Sequence, residues 1–137
     1  MSLRVKKPPL PDSAGTVHKA RGLPDDLVRF SFRHYTPTDK FCAPAGAAVA
    51  PYLGALLERM REISGMRLSE FMKPSKTLRS HSHDWQDTTE REGYAHLSPQ
   101  LQGCTPWQFS VSANEHGRIH GILIDAVFYV VWLDPEC

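Results

Sequence analysis

The sequence predicts a single α+β domain over residues 25–137, in which an N-terminal strand and two helices pack on a C-terminal three-stranded antiparallel meander. An extended or disordered arm precedes it over residues 1–24. Three observations carry this expectation. Residues 27–35 alternate, with Val28, Phe30 and Phe32 on one side and Arg29, Ser31 and Arg33 on the other, which is the period of two of a half-buried strand. Val49, Leu53, Leu56, Leu57, Met60 and Ile63 recur at steps of three and four, the apolar stripe of a helix. From Trp107 to Pro135, three apolar segments are separated by turn residues, as in a meander.

The arm contains Pro8, Pro9, Pro11, Gly15, Gly22 and Pro24 among scattered charges, with no apolar period. After the first strand, Pro37, Asp39 and the Ala43–Gly46 stretch form a loop. The long helix accepts Pro51 in its first turn and stops at Gly65. A second helix from about Leu68 to Lys73 is ended by Pro74, which cannot continue it. Residues 75–96 follow no period and predict a long loop, and long loops inside compact domains are more often functional or mobile than connections of ordinary length. Ser98, Pro99 and Gly103 fit the N-cap, first turn and stop of one helical turn. The meander is expected at Trp107–Ser112, Arg118–Ile124 and Val127–Leu133, with turns near Asn114 to Gly117 and at Asp125-Ala126.

At 137 residues the chain holds one domain with a real core, and no apolar run approaches the roughly 18 to 20 residues that span a bilayer. No membrane association is expected. The basic start Met1–Lys7 runs into prolines instead of an apolar segment, unlike a secretory signal, and the location expected is cytoplasmic. Cys42, Cys104 and Cys137 are an odd number at wide spacing, as in reduced thiols, and a Cys104 pairing with His96 or His120 has no supporting local signature. Net charge is +1, but residues 1–80 hold fourteen Lys/Arg against seven Asp/Glu while residues 81–137 hold two against eight. Such segregation fits internal neutralisation, or a basic surface for nucleic acid or an acidic partner. The last strand is apolar on both faces, so a sheet covered on one side needs a second cover. Candidates are the arm, the 75–96 loop, a second copy of the chain or another protein.

Arg118 and His120, two apart on a strand, share a face. The imidazole can move protons near neutrality while the guanidinium holds negative charge, a usable pair for phosphodiester chemistry. Arg79, His81 and His83 add candidates from the long loop, provided that it folds over the sheet. His81-Ser-His83-Asp84 also has the spacing of a metal-ligand pair, but a third and fourth ligand at a matching spacing are missing, so neither metal nor cofactor is expected. Of the aromatics Trp85, Trp107, Phe109, Phe128, Tyr129 and Trp132, at least four read as core. Trp85, in the polar loop, reads as a loop anchor or a ligand contact.

The order strand, helix, helix, meander joins with Leu101-x-Gly103 leading into Trp107-x-Phe109-x-Val111. It continues with Gly117-Arg118-Ile-x-Gly-Ile-Leu-Ile124 before Val127-Phe-Tyr-Val-Val131. Together these resemble the RelE/ParE superfamily of bacterial toxins over about residues 27–135. The resemblance implies a RelE-like fold and the toxin of a toxin–antitoxin pair. RelE-type members are endoribonucleases that cleave mRNA on the ribosome without metal, by attack of the ribose 2′-hydroxyl on the adjacent phosphate; ParE-type members act on DNA gyrase. Arg118 matches the family's functional arginine, whereas His120, His81, His83 and Arg79 are nominated by their chemistry. Ribosome-directed members are typically strongly basic while this C-terminal half is acidic, and the family's closing segment commonly adds a His or Tyr beyond the position of Cys137. Expected partners are thus an antitoxin and RNA or the ribosome. The alternative is a non-enzymatic domain that binds a protein or a second copy, as a homodimer, through the apolar sheet face.

Overall fold

A computed structural model describes residues 25–37, 46–112 and 117–135. The expectations for the 1–24 arm, for Cys42 and Cys137, and for the turn at Asn114 lie outside these residues. The fold is mixed α+β around one open five-stranded sheet. Strands β1 (Arg29–Ser31), β2 (His81–Ser82), β3 (Pro106–Ser110), β4 (Arg118–Ile124) and β5 (Val127–Asp134) lie in the order β1-β5-β4-β3-β2. The helices are α1 (Val49–Ser64), α2 (Leu68–Phe71) and the single turn α3 (Pro99–Gln102). Among the described residues, no helix is long and apolar enough to cross a membrane.

The long helix and the last two strands begin where the periodicities place them. The first strand is shorter than the 27–35 alternation suggests, and it pairs parallel to β5, with Phe30 opposite Phe128. Its ladder stops at Ser31, beyond which a turn joins Phe32 to Tyr35 through the Tyr35 N–H and the Phe32 carbonyl. The sheet is also wider than a meander plus one strand, because His81-Ser82 adds to the outer edge of β3 as β2. Two residues are too few to express a period, so this strand leaves no mark in the sequence.

One face of the sheet carries an apolar core. Phe109, Ile119, Phe128 and Val130 meet Leu56 and Ile63 of α1 and Phe71 of α2. The rings of Phe71, Phe109 and Phe128 form edge-to-face contacts at 5.1–6.1 Å, geometry that adds to the roughly 1.5 to 3 kcal/mol each such side chain contributes by burial. Arg59, buried on α1, donates to the carbonyls of Ser110, Val111 and Thr77, which ties the start of the 75–82 segment and the end of β3 to the helix.

The second face is covered from within the chain. Residues 85–104 lie across it, so that Trp85, Leu97, Leu101 and Cys104 pack on Tyr94, Ile122, Val131 and Trp132. Of the covers expected for this face, the loop is the one that the described residues place there, while Ile124 at the end of β4 stays exposed. The loop has no period because it is held by single large anchors. Tyr94 is buried with its hydroxyl donating to the Gly121 carbonyl at 3.0 Å, and Trp85 packs edge-on against Tyr94 with ring centroids 4.7 Å apart. Gly93 has φ +62°, and a Cβ there would lie 2.7 Å from Trp85 Cδ1, so both backbone and space require glycine. Ser98 and Gly103 flank α3 as expected, although the Ser98 side chain forms no capping bond.

A β-bulge in β5 shapes this face. Gly121 pairs with Val130 and His120 with Trp132, so that Val131 is an extra residue without a partner on β4. Before the bulge, Phe128 and Val130 face the helices; after it, Leu133 does. The insertion turns Trp132 toward the loop beside Val131 and places Asp134 on that same face.

Candidate functional site

The register assembles the site. His81 stands opposite Gln108, Gln108 opposite His120, and His120 opposite Trp132, giving a row across β2, β3, β4 and β5 on the loop-covered face. His83, two residues beyond His81, joins them because its backbone N–H donates to the Pro106 carbonyl at 3.2 Å and prolongs the β2–β3 pairing. Ring centroids lie 6.3 Å apart for His81 and His83 and 6.4 Å for His83 and His120. Three of the five residues expected to matter are therefore brought together. The 75–96 loop, which looked structureless, is what delivers two of them.

Each imidazole has a different setting. His81 is exposed; its Nδ1 lies 3.0 Å from the Ser82 carbonyl, and its Nε2 lies 2.9 Å from the Gln108 amide nitrogen. A carbonyl can only accept, so the neutral ring carries its proton on Nδ1 and accepts from Gln108 at Nε2. His83 is half-buried, edge-on to Trp85 at 4.7 Å, and its Nδ1 is buried without a hydrogen-bond partner. Burial, reinforced by His120 and then His81 and only partly opposed by Asp84, lowers its pKa from 6.5 to about 4. At neutral pH it is an uncharged base. His120 is buried, and its Nε2 lies 3.4 Å from the Asp134 carboxylate, itself buried.

Arg118 occupies the same face two residues before His120, opposite Ser110 on one side and Asp134 on the other. Its side chain is half-buried and donates to the Gly117 carbonyl at 3.1 Å. Arg79 is not aligned with this row: it sits in a left-handed turn with φ 52° and its Nε donates to the Lys76 carbonyl within its own loop. The side chain turns back along the chain, because the strand that would have aimed it at the sheet begins only at His81.

An open cleft of about 810 Å³ fronts the histidines, lined by His81, His83, Trp85, Cys104 and Gln108 together with the carboxylates Asp84 and Asp87. Trp85 is an anchor at this rim, held between Gly93, Tyr94 and His83. Cys104 is a half-buried thiol whose Sγ points to the Gln100 carbonyl at 3.6 Å, not to an imidazole. No family model matches the chain, and no curated protein or solved structure is significantly similar to it. No group of three or more His, Cys, Asp or Glu side chains among the described residues has the geometry to hold a metal ion. What the arrangement can do by itself is acid–base chemistry: an uncharged imidazole at a cleft, a second imidazole behind it bonded to a carboxylate, and a guanidinium on the same face.

Sequence reasoning missed Asp134 and Gln108. Gln108 was legible in principle as a polar residue on an otherwise apolar strand. Asp134 was not: strict alternation from Phe128 puts it on the helix-facing side, and the extra residue Val131 moves it across.

Proposed function

We propose that the protein is an imidazole-based enzyme that cleaves RNA without metal, as its RelE-like pattern implies, and that it serves as the toxin of a toxin–antitoxin pair. The observation that carries this reading is the convergence of His83 and His120, with Asp134 behind them, on one sheet face beside the cleft. His83, uncharged at neutral pH, takes the proton of the ribose 2′-hydroxyl as that oxygen attacks the neighbouring phosphate; the bond from phosphorus to the 5′-oxygen of the next nucleotide breaks, leaving a 2′,3′-cyclic phosphate, and the departing oxygen takes a proton from water in the cleft. Entry of the phosphodiester anion offsets part of the desolvation that keeps His83 unprotonated, which strengthens the base when substrate is bound. Arg118 holds the charge that develops on the phosphate. Asp84 and Asp87 repel the backbone, so the reading requires the RNA to enter past them at a defined angle.

The test is cleavage of mRNA by the purified protein with translating ribosomes, in chelator, beside His83→Gln, His120→Gln and Arg118→Ala. Chelator-insensitive cleavage with 2′,3′-cyclic phosphate ends is expected, lowered on the order of 100-fold or more by each histidine change. Intact mRNA, together with unimpaired growth on expression, would sink the reading. The exposed Phe32 lines a groove with Phe30 and Met60, and Leu53 and Leu57 are exposed on the helix that carries Met60, which favours a second, non-enzymatic reading as a protein-binding domain if cleavage fails.

A further inference from the structure

Asp134 stands at the end of β5, its side chain 8% exposed, on the face it shares with His120 and Arg118. A carboxylate removed from water this far needs a donor, and the ring nitrogen 3.4 Å away is one. The placement depends on the bulge: with regular pairing Asp134 would face α1, and the extra residue Val131 re-aims it. The bulge is itself held from both sides. Tyr94 donates to the Gly121 carbonyl at 3.0 Å, and the Val131 carbonyl accepts from the Thr36 N–H at 2.9 Å. A Cβ at Gly121 would overlap the Tyr129 carbonyl and the Phe128 ring, so the sequence at this point is adapted to the irregular register.

We propose that Asp134 is a positioning residue for His120: the bulge at Val131 brings its carboxylate to His120 Nε2, holding the imidazole in one tautomer and one orientation behind His83. The neutral ring then carries its proton on Nε2, donates it to Asp134 and keeps Nδ1 as its acceptor nitrogen. His81 has the opposite tautomer, fixed by Ser82 and Gln108, so the two rings serve as internal references for each other. Aspartate behind histidine is a general way to fix which nitrogen is basic, and here it is achieved by an inserted residue that turns the strand. The inference rests on the acid–base reading of this face, but its central statement concerns a tautomer and is measured without substrate.

Long-range 1H–15N spectra of the full chain labelled at histidine nitrogen read the tautomers directly. His120 is expected as the Nε2–H form and His81 as the Nδ1–H form. Asp134→Asn is expected to shift His120 toward a mixture and to lower turnover on the order of 100-fold with KM within about twofold, and Asp134→Glu to recover part of both. A His120 spectrum unchanged by Asp134→Asn overturns the proposal. Should that variant fail to fold, an Nδ1–H form at His120 in the unaltered protein overturns it equally. Wild-type protein that shows the expected tautomers yet cleaves no RNA would reject the ribonuclease reading and leave the role of Asp134 standing.

Discussion

The two faces of this sheet are built from the same strands and by different means. On one, α1 presents Leu56 and Ile63 to Phe109, Ile119 and Phe128, an apolar stripe flanked by Arg59, which is bonded to backbone carbonyls. On the other, a loop with almost no regular structure lies over Ile122, Val131 and Trp132 and brings His83, Trp85 and Tyr94 with it. A helix repeats its apolar residues and buries them as a stripe; a loop must be fixed by individual side chains and hydrogen bonds. The helical face is held by a repeating stripe, and the loop face, fixed by the large anchors Trp132 and Tyr94, is where polar groups are partly dehydrated and where chemistry is possible.

Each face can be perturbed separately. Phe109 is fully buried at the centre of the helical face, and Phe109→Ala is expected to cost about 3 to 5 kcal/mol, read as a shift of the urea midpoint. Tyr94→Phe keeps the ring but leaves the Gly121 carbonyl without its hydroxyl donor; about 1 to 3 kcal/mol is expected, with faster hydrogen exchange confined to residues 85–104 if the loop opens as a unit. Equal losses of exchange protection on both faces would show that they do not differ as described.

The third effect is electrostatic, and its size is reduced because His83 is only half-buried. His83 binds a proton in the unfolded chain near pH 6.5 and in the folded protein only near pH 4. Between these values the unfolded state holds more protons, so its contribution favours folding above about pH 6.5 and is lost as the pH falls toward 4. Melting temperature should decline over that window, and His83→Gln should flatten the decline.

The helical face was legible in the sequence because its residues obey a period: the Val49–Ile63 stripe and the alternation of Phe109 with Val111 and of Ile119 with Leu123 are visible without coordinates. The loop face was legible in its chemistry alone. His81, His83, His120 and Arg118 stand out as residue types, and the need for a cover follows from Val127–Leu133 being apolar on both sides. Which candidate supplies that cover, and that Asp134 joins the histidines, depended on two-residue β2 and one-residue bulge Val131, features shorter than any period. Arg79 lies off the row of histidines because its left-handed turn directs it along the loop, and no composition signal marks that turn.

The claim on which both the fold and the function turn is that the 85–104 loop dehydrates His83 against the sheet. Its direct measure is the NMR titration of the His83 Cε1–H in the unaltered protein. A midpoint near 4 is expected, rising toward the ordinary value in Tyr94→Ala, which removes the anchor. A midpoint near 6.5 in the unaltered protein would mean that water reaches the ring freely, and would contradict the closed loop face.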